Sequence, residues 1–216
     1  MDSASHNEEA GLKNPDPAIV PFSEVIKFHG HFCPGITLGY CAARIAIEEL
    51  RSRRDVNEEL VAIVENDACG IDAIQVVTGC TLGKGNLIFR NNGKHVFTFI
   101  NRATNDAVRI SLKDWQIDEN PILQALQNKV ENGKGTPEDL QVLQRLMQEH
   151  VDGILLKSTD RYFDVRHVTP EVPGKARIFN SVKCSKCGEM VAESRARVQN
   201  GNFVCIPCLN DYTRGW

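Results

Sequence analysis

The sequence predicts an α+β fold, in which an antiparallel sheet with packed helices is followed by a small cysteine-rich module. Three observations support this prediction. Short β-rich runs follow one another in the middle of the chain, amphipathic helical patterns flank them, and four of the eight cysteines fall within residues 184–216. Because the strands are grouped and do not alternate with helices, an antiparallel sheet is favoured over a parallel, doubly wound one.

Composition and charge are those of an ordinary globular protein. The 216 residues are 42% hydrophobic and 25% charged, with a formal net charge of −3. These values disfavour a disordered chain and a protein that binds nucleic acid through a broad cationic surface. No apolar run approaches the roughly 18 residues of a membrane span, and the polar, acidic opening segment does not resemble a signal peptide. We therefore expect a cytoplasmic protein that does not enter a membrane.

Apolar periodicity predicts the main helices. A helix that follows Pro34 is indicated by residues spaced i, i+3, i+4 and i+7, namely Leu38, Cys41, Ala42 and Ile45. A second helix is predicted over residues 121–130, and Thr136 is a suitable N-cap for a long third helix. The third helix carries an apolar stripe that can dock on the sheet or on a second subunit, made of Leu140, Leu143, Met147, Val151 and Ile154.

Runs of β-branched and aromatic residues predict the sheet. Residues 60–65 form one candidate strand, whereas residues 71–77 fit either a strand or a short helix. Residues 87–90 and 95–100 are predicted to pair as a hairpin, because the Asn-Gly step between them favours a tight turn. With a further strand over residues 108–112, we expect an antiparallel meander.

The chain divides into four predicted segments. A flexible arm covers residues 1–17 and the main α+β domain covers residues 18–168. A linker over residues 169–183 is indicated by its prolines and glycine. The cysteine-rich module covers residues 184–216.

The cysteine-rich module has the spacing of a zinc finger. Cys184 and Cys187 form one Cys-x-x-Cys pair, and Cys205 and Cys208 form a second. Two such pairs can close a tetrahedral thiolate shell around Zn²⁺, and the predicted order of knuckle, hairpin and short helix is that of a treble-clef finger. Four protein ligands leave no open position on the metal, so this zinc is predicted to be structural. We expect the finger to contact protein more readily than nucleic acid. Its few arginines could meet phosphate, so nucleic-acid binding is not excluded.

A second set of candidate ligands lies near the N-terminus. His29, His31 and Cys33 occupy alternate positions, so on an extended segment they would face one side with about 6.6 Å between neighbours. Two of them could reach one ion, and a third ligand would come from Cys69 or Cys80, each of which adjoins a glycine. Because Cys33 also precedes a helix, whose dipole favours a thiolate, it is a candidate ligand or nucleophile.

The glycine-rich segment over residues 78–86 is a candidate anion site. Its backbone N–H groups could approach an anion and Lys84 would add positive charge, although the spacing is not that of a Walker motif. Cys41 lies on the apolar face of its predicted helix and is interpreted as a core residue.

Two longer segments carry a family resemblance. FHGHFCPGITLGYCAARIA and DACGIDAIQVVTGCTLGKGNLIF resemble the two signature segments of the FmdE family of formylmethanofuran dehydrogenase. The resemblance spans roughly residues 22–165, and the cysteine-rich tail is similar to a zinc finger appended in many relatives. It implies an α+β core, often dimeric, with a metal in a cleft. The implied site residues are His29, His31, Cys33, Cys69, Asp72 and Cys80, with Thr81 and Lys84 in second place. Cys41 departs from the polar residue expected there.

These observations define a predicted site and two functional hypotheses. We assign catalysis to Cys33, Asp72 and Lys84, and binding of a small anionic or cofactor-like ligand to Thr81, Gly83 and Lys84. The main-domain metal is predicted to be zinc or iron. In the first hypothesis the protein is a metal-binding enzyme or enzyme subunit, with dehydrogenase subunits among its partners. In the second it is a regulatory or adaptor protein that senses a metal or metabolite. A homodimer is expected in either case.

Overall fold

The computed structural model describes residues 19–113, 120–156 and 159–210. The chain forms two compact units, which divide between Lys175 and Ala176. The predicted arm over residues 1–17 lies outside the described part. Among the described residues no helix has the length and apolar character needed to cross a membrane.

Six helices are described in the first unit. They are α1 (Phe22–His29), α2 (Pro34–Glu49), α3 (Gly70–Thr78), α4 (Pro121–Glu131), α5 (Pro137–Leu156) and α6 (Thr159–Tyr162). Helices α2, α4 and α5 occur where apolar periodicity predicts them, and α3 resolves the ambiguous segment over residues 71–77 as a helix. Helix α1 is not predicted from the sequence. It ends at His29, where the sequence predicts that an extended segment begins.

The first unit contains a five-stranded sheet in the order β2-β1-β3-β4-β5. Its strands are β1 (Leu60–Val64), β2 (Leu87–Phe89), β3 (Val96–Asn101), β4 (Ala107–Leu112) and β5 (Phe163–Val168). Strands β1 and β2 are parallel, whereas β1–β3, β3–β4 and β4–β5 are antiparallel. The α+β class is confirmed, with β5 added to the predicted strands.

The predicted hairpin between residues 87–90 and 95–100 is wrong, because β1 lies between β2 and β3. Every residue of β1 is buried, so this strand is covered on both faces and takes an interior position, paired with β2 on one edge and β3 on the other. The intervening loop passes the end of β1, where the Arg90 N–H donates to the Val64 carbonyl and the Lys94 N–H to the Glu65 carbonyl. The Asn-Gly step therefore belongs to a crossing loop and not to a two-strand turn.

The two faces of the sheet are covered differently. The main core packs helices α2 and α3 against one face, with Phe99 and Ile110 fully buried. Val172, which follows β5, packs on the other face, and the Arg102 guanidinium donates to the carbonyl oxygens of Pro173 and Gly174. The first part of the predicted linker, residues 169–175, thus lies within the first unit.

Only one end of the apolar stripe on α5 is buried. Val151 and Ile154 are 0% and 3% exposed, whereas Leu140 at the other end is 44% exposed. Ile154 belongs to the main core and α5 contacts α2, so docking within the chain accounts for this end of the stripe.

A glycine contact brings the N-terminal ends of α2 and α3 together. A Cβ placed on Gly39 would stand 2.3 Å from the carbonyl oxygen of Gly70, a distance that no side chain tolerates. The two helices therefore approach to backbone contact. Cys33 and Cys69 are the N-cap residues of these helices, so the same contact positions both cysteines.

The second unit consists of two short hairpins and two 3₁₀ turns. Strands β6 (Ser181–Lys183) and β7 (Met190–Ala192) pair, as do β8 (Arg197–Gln199) and β9 (Asn202–Val204). The β8–β9 hairpin is the one predicted within the finger, and its turn is an Asn-Gly step with positive φ angles of 52° and 79° at Asn200 and Gly201. The predicted short helix at the second cysteine pair is a 3₁₀ turn over Ile206–Cys208; residues 211–216 are outside the described part.

Candidate metal centre

The structure brings His29, His31 and Cys33 together. One ligand atom from each lies within 4.8 Å of the others, and the two imidazole ring centroids are 4.5 Å apart. The backbone route differs from the extended segment that the sequence predicts. His29 ends α1 and Gly30, at φ 94°, forms its left-handed C-cap, which turns the chain so that the three side chains converge. A glycine is suited to this position because it has no Cβ to clash.

His29 is oriented by a carboxylate. Its Nδ1 lies 2.8 Å from Asp72 Oδ2, and its side chain is 11% exposed. The other ring nitrogen, Nε2, is buried and has no hydrogen-bond partner among the described residues. Burying an unpaired polar atom is unfavourable, whereas a histidine held by a carboxylate at one nitrogen and by a metal at the other is a common arrangement. The residues present therefore fit a metal at His29 Nε2.

Cys69 lies beside Cys33. Measured from the point where a Cβ of Gly35 would stand, the Cys33 Sγ is 3.8 Å away and the Cys69 Sγ is 3.9 Å away. Burial raises the pKa of the Cys33 thiol, the Ile36 N–H lowers it, and neighbouring Cys69 raises it again. The pKa of Cys33 is raised overall, so the helix N-terminus alone does not produce the thiolate that the sequence predicts.

The structure does not place Cys80 in this group. Cys80 is fully buried, its Sγ donates to the Leu60 carbonyl oxygen at 3.4 Å, and burial raises its pKa to about 12. Such a thiol is a poor ligand and nucleophile, because both roles require the thiolate. Cys41 packs against the core as expected, and burial raises its pKa to about 11.

Lys84, which the sequence predicts to bind an anion or act in catalysis, is held by the protein's own carboxylate. Its Nζ lies 2.7 Å from Asp55 Oδ2, and the Asp55 side chain is completely buried. Asn86 and the Leu60 N–H donate to the same carboxylate. The Asp55 carboxylate thus neutralises the Lys84 ammonium, which the sequence predicts to be a free positive charge. The same carboxylate would repel an anion.

The other predicted ligand-binding residues lie in the same loop. Thr81 takes part in the loop's own hydrogen bonds, accepting from the Lys84 N–H and donating its N–H to Asn86. It also lines an open cleft of about 570 Å³ with Phe28 and Gln75. Gly83 is exposed, and a Cβ there would contact nothing within 4 Å. The loop is thus internally satisfied.

A small cavity beside the cysteines involves two residues that the sequence motifs do not point to. The cavity has a volume of about 90 Å³ and extends from Gly35 to Asn66 and His95. Asn66 Nδ2 donates to the Lys94 carbonyl and lies 3.5 Å from His95 Nδ1. The sequence contains one indication that Asn66 lies at a site. It follows directly after a predicted buried strand, and ligand sites are common at the carboxyl ends of strands in α/β sheets.

The second unit holds a complete four-cysteine cluster. One sulfur atom from each of Cys184, Cys187, Cys205 and Cys208 lies within 4.8 Å of the others, and the Cys187 and Cys205 sulfurs are 3.8 Å apart. A tetrahedral site with Zn–S bonds of about 2.3 Å places its sulfurs about 3.8 Å apart. The N–H groups of Cys187 and Cys205 lower the pKa of Cys184 to about 6. This geometry fits zinc.

These features define a two-unit metal-binding protein, in which an α+β unit is followed by a C4 zinc finger. Residues 28–164 match the family described as "FmdE, Molybdenum formylmethanofuran dehydrogenase operon". Residues 177–214 match the prokaryotic dksA/traR C4-type zinc finger. Since the first match covers more than half of the chain, the protein belongs to the FmdE family.

Two individual proteins are similar to this chain. The chain is 34% identical over 193 residues to a protein of Archaeoglobus fulgidus named as a probable S-adenosyl-L-methionine-binding protein; the alignment covers 86% of this chain and 51% of that one. The chain therefore spans about half the length of this relative. A crystal structure of a tungsten formylmethanofuran dehydrogenase FmdE-like protein from Syntrophus aciditrophicus has a similar fold, with a TM-score of 0.57 and 22% identity, covering 87% of this chain and 89% of that one.

Proposed function

We propose that the first unit is a metal-dependent enzyme or enzyme subunit whose metal, zinc or iron, is held by His29, His31 and Cys33. Cys69 lies outside the group whose ligand atoms are all within 4.8 Å of one another. It is the candidate fourth ligand because its side chain interacts with the Cys33 thiol. Imidazole and thiolate ligands suit either metal, which would supply Lewis-acid or redox chemistry when bound. The observation that carries the proposal is the buried, unpartnered Nε2 of His29 within a three-ligand cluster.

Asp72 positions the histidine in this proposal. Its contact with His29 Nδ1 keeps the proton on that nitrogen, so that Nε2 faces the metal position with a free lone pair. This contact gives Asp72 an orienting role in place of the direct catalytic role predicted from the sequence.

A small ligand would enter beside the metal position. The cavity at Gly35 adjoins the N-terminal ends of α2 and α3, which carry partial positive charge, whereas Leu38, Phe97 and Phe163 make the rest of its lining apolar. We propose that the anionic group of a small ligand lies at the helix ends and that the volume of about 90 Å³ takes one apolar end of a cofactor-like molecule. The name of the archaeal relative makes S-adenosyl-L-methionine one such molecule to test. We favour an enzyme over a regulatory or adaptor protein, because the cluster is a preformed ligand set next to a cavity.

The proposal includes the setting of the protein. A cytoplasmic location is supported by the free state of all eight cysteines. A homodimer is supported by the exposed end of the α5 stripe at Leu140, and partner dehydrogenase subunits remain a prediction from the family. Sedimentation at micromolar concentration tests the dimer, and a species of only 24.1 kDa would contradict it.

Metal counting on the full chain tests the metal centre. The unaltered protein, purified without chelator, should carry two metal equivalents per chain, and His31→Ala should carry one. His167→Ala is the matched control, since His167 is exposed and pairs with Glu49 far from the cluster in sequence; it should retain both equivalents. If His31→Ala keeps both, or if the unaltered protein holds only the finger zinc and cannot be reloaded with zinc or ferrous iron, the proposal is wrong.

Asp72→Asn tests the orienting contact. Loss of such a carboxylate partner weakens metal affinity about 10- to 100-fold, and a competition titration with a chromophoric chelator measures the change. Equal affinities for Asp72→Asn and the unaltered protein would show that the contact with His29 does not orient a ligand.

A further inference from the structure

We propose that Cys33 and Cys69 form a reversible redox pair, whose oxidation to a disulfide removes both thiolates from the metal centre and releases its metal. This inference rests on the proposed function, because it describes how that centre is regulated. It goes beyond metal binding, since it makes the occupancy of the centre depend on the oxidation state of two of its ligands.

The backbone presents the two cysteines to each other. Each is the N-cap of its helix, α2 for Cys33 and α3 for Cys69. Both sulfurs lie less than 4 Å from the point where a Cβ of Gly35 would stand, and the Cβ of Cys69 lies 3.3 Å from the same point. A larger residue at position 35 would therefore wedge between the two side chains, and glycine leaves the path between the sulfurs open.

The contact between α2 and α3 holds this arrangement in place. A Cβ on Gly70 would stand 3.1 Å from the Gly35 carbonyl oxygen and 3.2 Å from the Gly39 Cα. Since the two backbones touch directly beside the cysteines, the contact keeps the N-cap residues Cys33 and Cys69 near each other, as a disulfide requires.

The two cysteines also differ in access, as the partners of a redox pair do. Cys69 is exposed and Cys33 is half-buried, whereas Cys80 is buried. With a hydroperoxide as oxidant, the Cys69 thiolate attacks the O–O bond and becomes a sulfenic acid, and the other oxygen leaves as water or alcohol. Cys33 then loses its proton and attacks the Cys69 sulfur as a thiolate, the S–S bond forms, and the departing hydroxide takes up that proton and leaves as water. Two thiols thus lose two electrons to one hydroperoxide, and a dithiol reductant reverses the change.

Oxidation would dismantle the ligand set. A disulfide sulfur carries no negative charge and is a weak ligand, so only His29 and His31 would remain for the ion. Two neutral imidazoles hold zinc or ferrous iron far less tightly than a set with thiolates, and metal release would follow.

The test treats the full chain with about one equivalent of hydrogen peroxide, blocks the remaining thiols by alkylation and maps disulfides by mass spectrometry. Cys33 shares a tryptic peptide with Cys41, and Cys69 shares one with Cys80, so peptide fragmentation is needed to assign the link. We expect a Cys33–Cys69 link, loss of one metal equivalent, and recovery of both thiols and metal after dithiothreitol and added metal. Cys41→Ser should keep the link, whereas Cys69→Ser should lose it.

The disulfide and the metal are measured independently, so the two proposals can fail separately. A protein that binds the metal but shows Cys33 and Cys69 unlinked, or linked to other cysteines, overturns the redox pair and leaves the metal centre standing. A link that forms in a protein without the main-unit metal overturns the metal centre and supports the pairing of the thiols alone. Retention of the metal by the linked protein overturns the release step.

Discussion

Replacing Lys84 by methionine should destabilise the first unit without affecting its metal. Lys84 Nζ lies 2.7 Å from the carboxylate of Asp55, whose side chain is 0% exposed, and the lysine side chain is 29% exposed. Removing one partner of a buried ion pair costs about 3–5 kcal/mol, because the other charge is left buried and unpaired. Asn86 and the Leu60 N–H still donate to the carboxylate, so we expect a loss of about 2–3 kcal/mol, after allowing for the partial exposure of Lys84.

A matched control separates burial from charge. Lys27 also lies 2.7 Å from a carboxylate, that of Glu24, but these two side chains are 72% and 50% exposed. Exposed pairs contribute little, so Lys27→Met should change the free energy of unfolding by no more than about 0.5 kcal/mol. Urea unfolding of the two variants, followed at pH 7 with a probe in the first unit, measures the difference.

The pH dependence gives a second check. Burial by itself would raise the pKa of Asp55, but hydrogen bonds from Lys84 and the Leu60 N–H lower it below its ordinary value of 3.8. A carboxylate with a lowered folded-state pKa stabilises the protein above its unfolded pKa, and this contribution is lost as pH falls through the folded-state pKa. The stability difference between Lys84→Met and the unaltered protein should therefore shrink below about pH 4. If Lys84→Met keeps full stability and loses metal or ligand binding, Lys84 is a functional lysine, as the sequence predicts, and the structural role argued here is wrong.

Two further substitutions test the framework of the site. Gly39→Ala should destabilise the first unit by about 2 kcal/mol or more and weaken the main-unit metal, since its Cβ would stand 2.3 Å from the Gly70 carbonyl oxygen; thermal unfolding and metal counting measure both effects, and normal values of both would show that α2 and α3 can separate freely. Cys205→Ser should remove the finger zinc and expose residues after Lys175 to protease while leaving the first unit intact, because structural zinc contributes on the order of 10 kcal/mol to small fingers. Full zinc content and unchanged protease resistance in Cys205→Ser would refute this.

The features that the sequence predicts correctly depend on short stretches of chain. The two Cys-x-x-Cys pairs bring four sulfurs together through tight local turns, and the N-terminal turn of α5 begins at Pro137 directly after its predicted cap, Thr136. Backbone preference and ligand spacing act within a few residues, so one sequence carries enough information.

The metal centre shows how far local information extends. His29, His31 and Cys33 are close in sequence and the structure brings them together, although the turn at Gly30 replaces the predicted extended chain. That Cys69 and not Cys80 lies near Cys33 depends on α3, because the two cysteines lie at opposite ends of that helix. Periodicity left this segment open between strand and helix, and as a result the sequence could not select between them.

Only the tertiary structure decides which strands pair and which charges meet when the residues are far apart in sequence, because burial selects these partners. Strand β1 separates β2 from β3 because it is apolar on both faces and is buried as an interior strand of the sheet. Burial of this strand outweighs the turn preference of an Asn-Gly step. Lys84 is neutralised by Asp55, which lies 29 residues earlier in the chain, because a buried carboxylate requires a compensating charge wherever the fold supplies one. Local sequence determines turns, caps and ligand spacing, whereas desolvation acts on the assembled structure and determines which strands pair and which charges remain free.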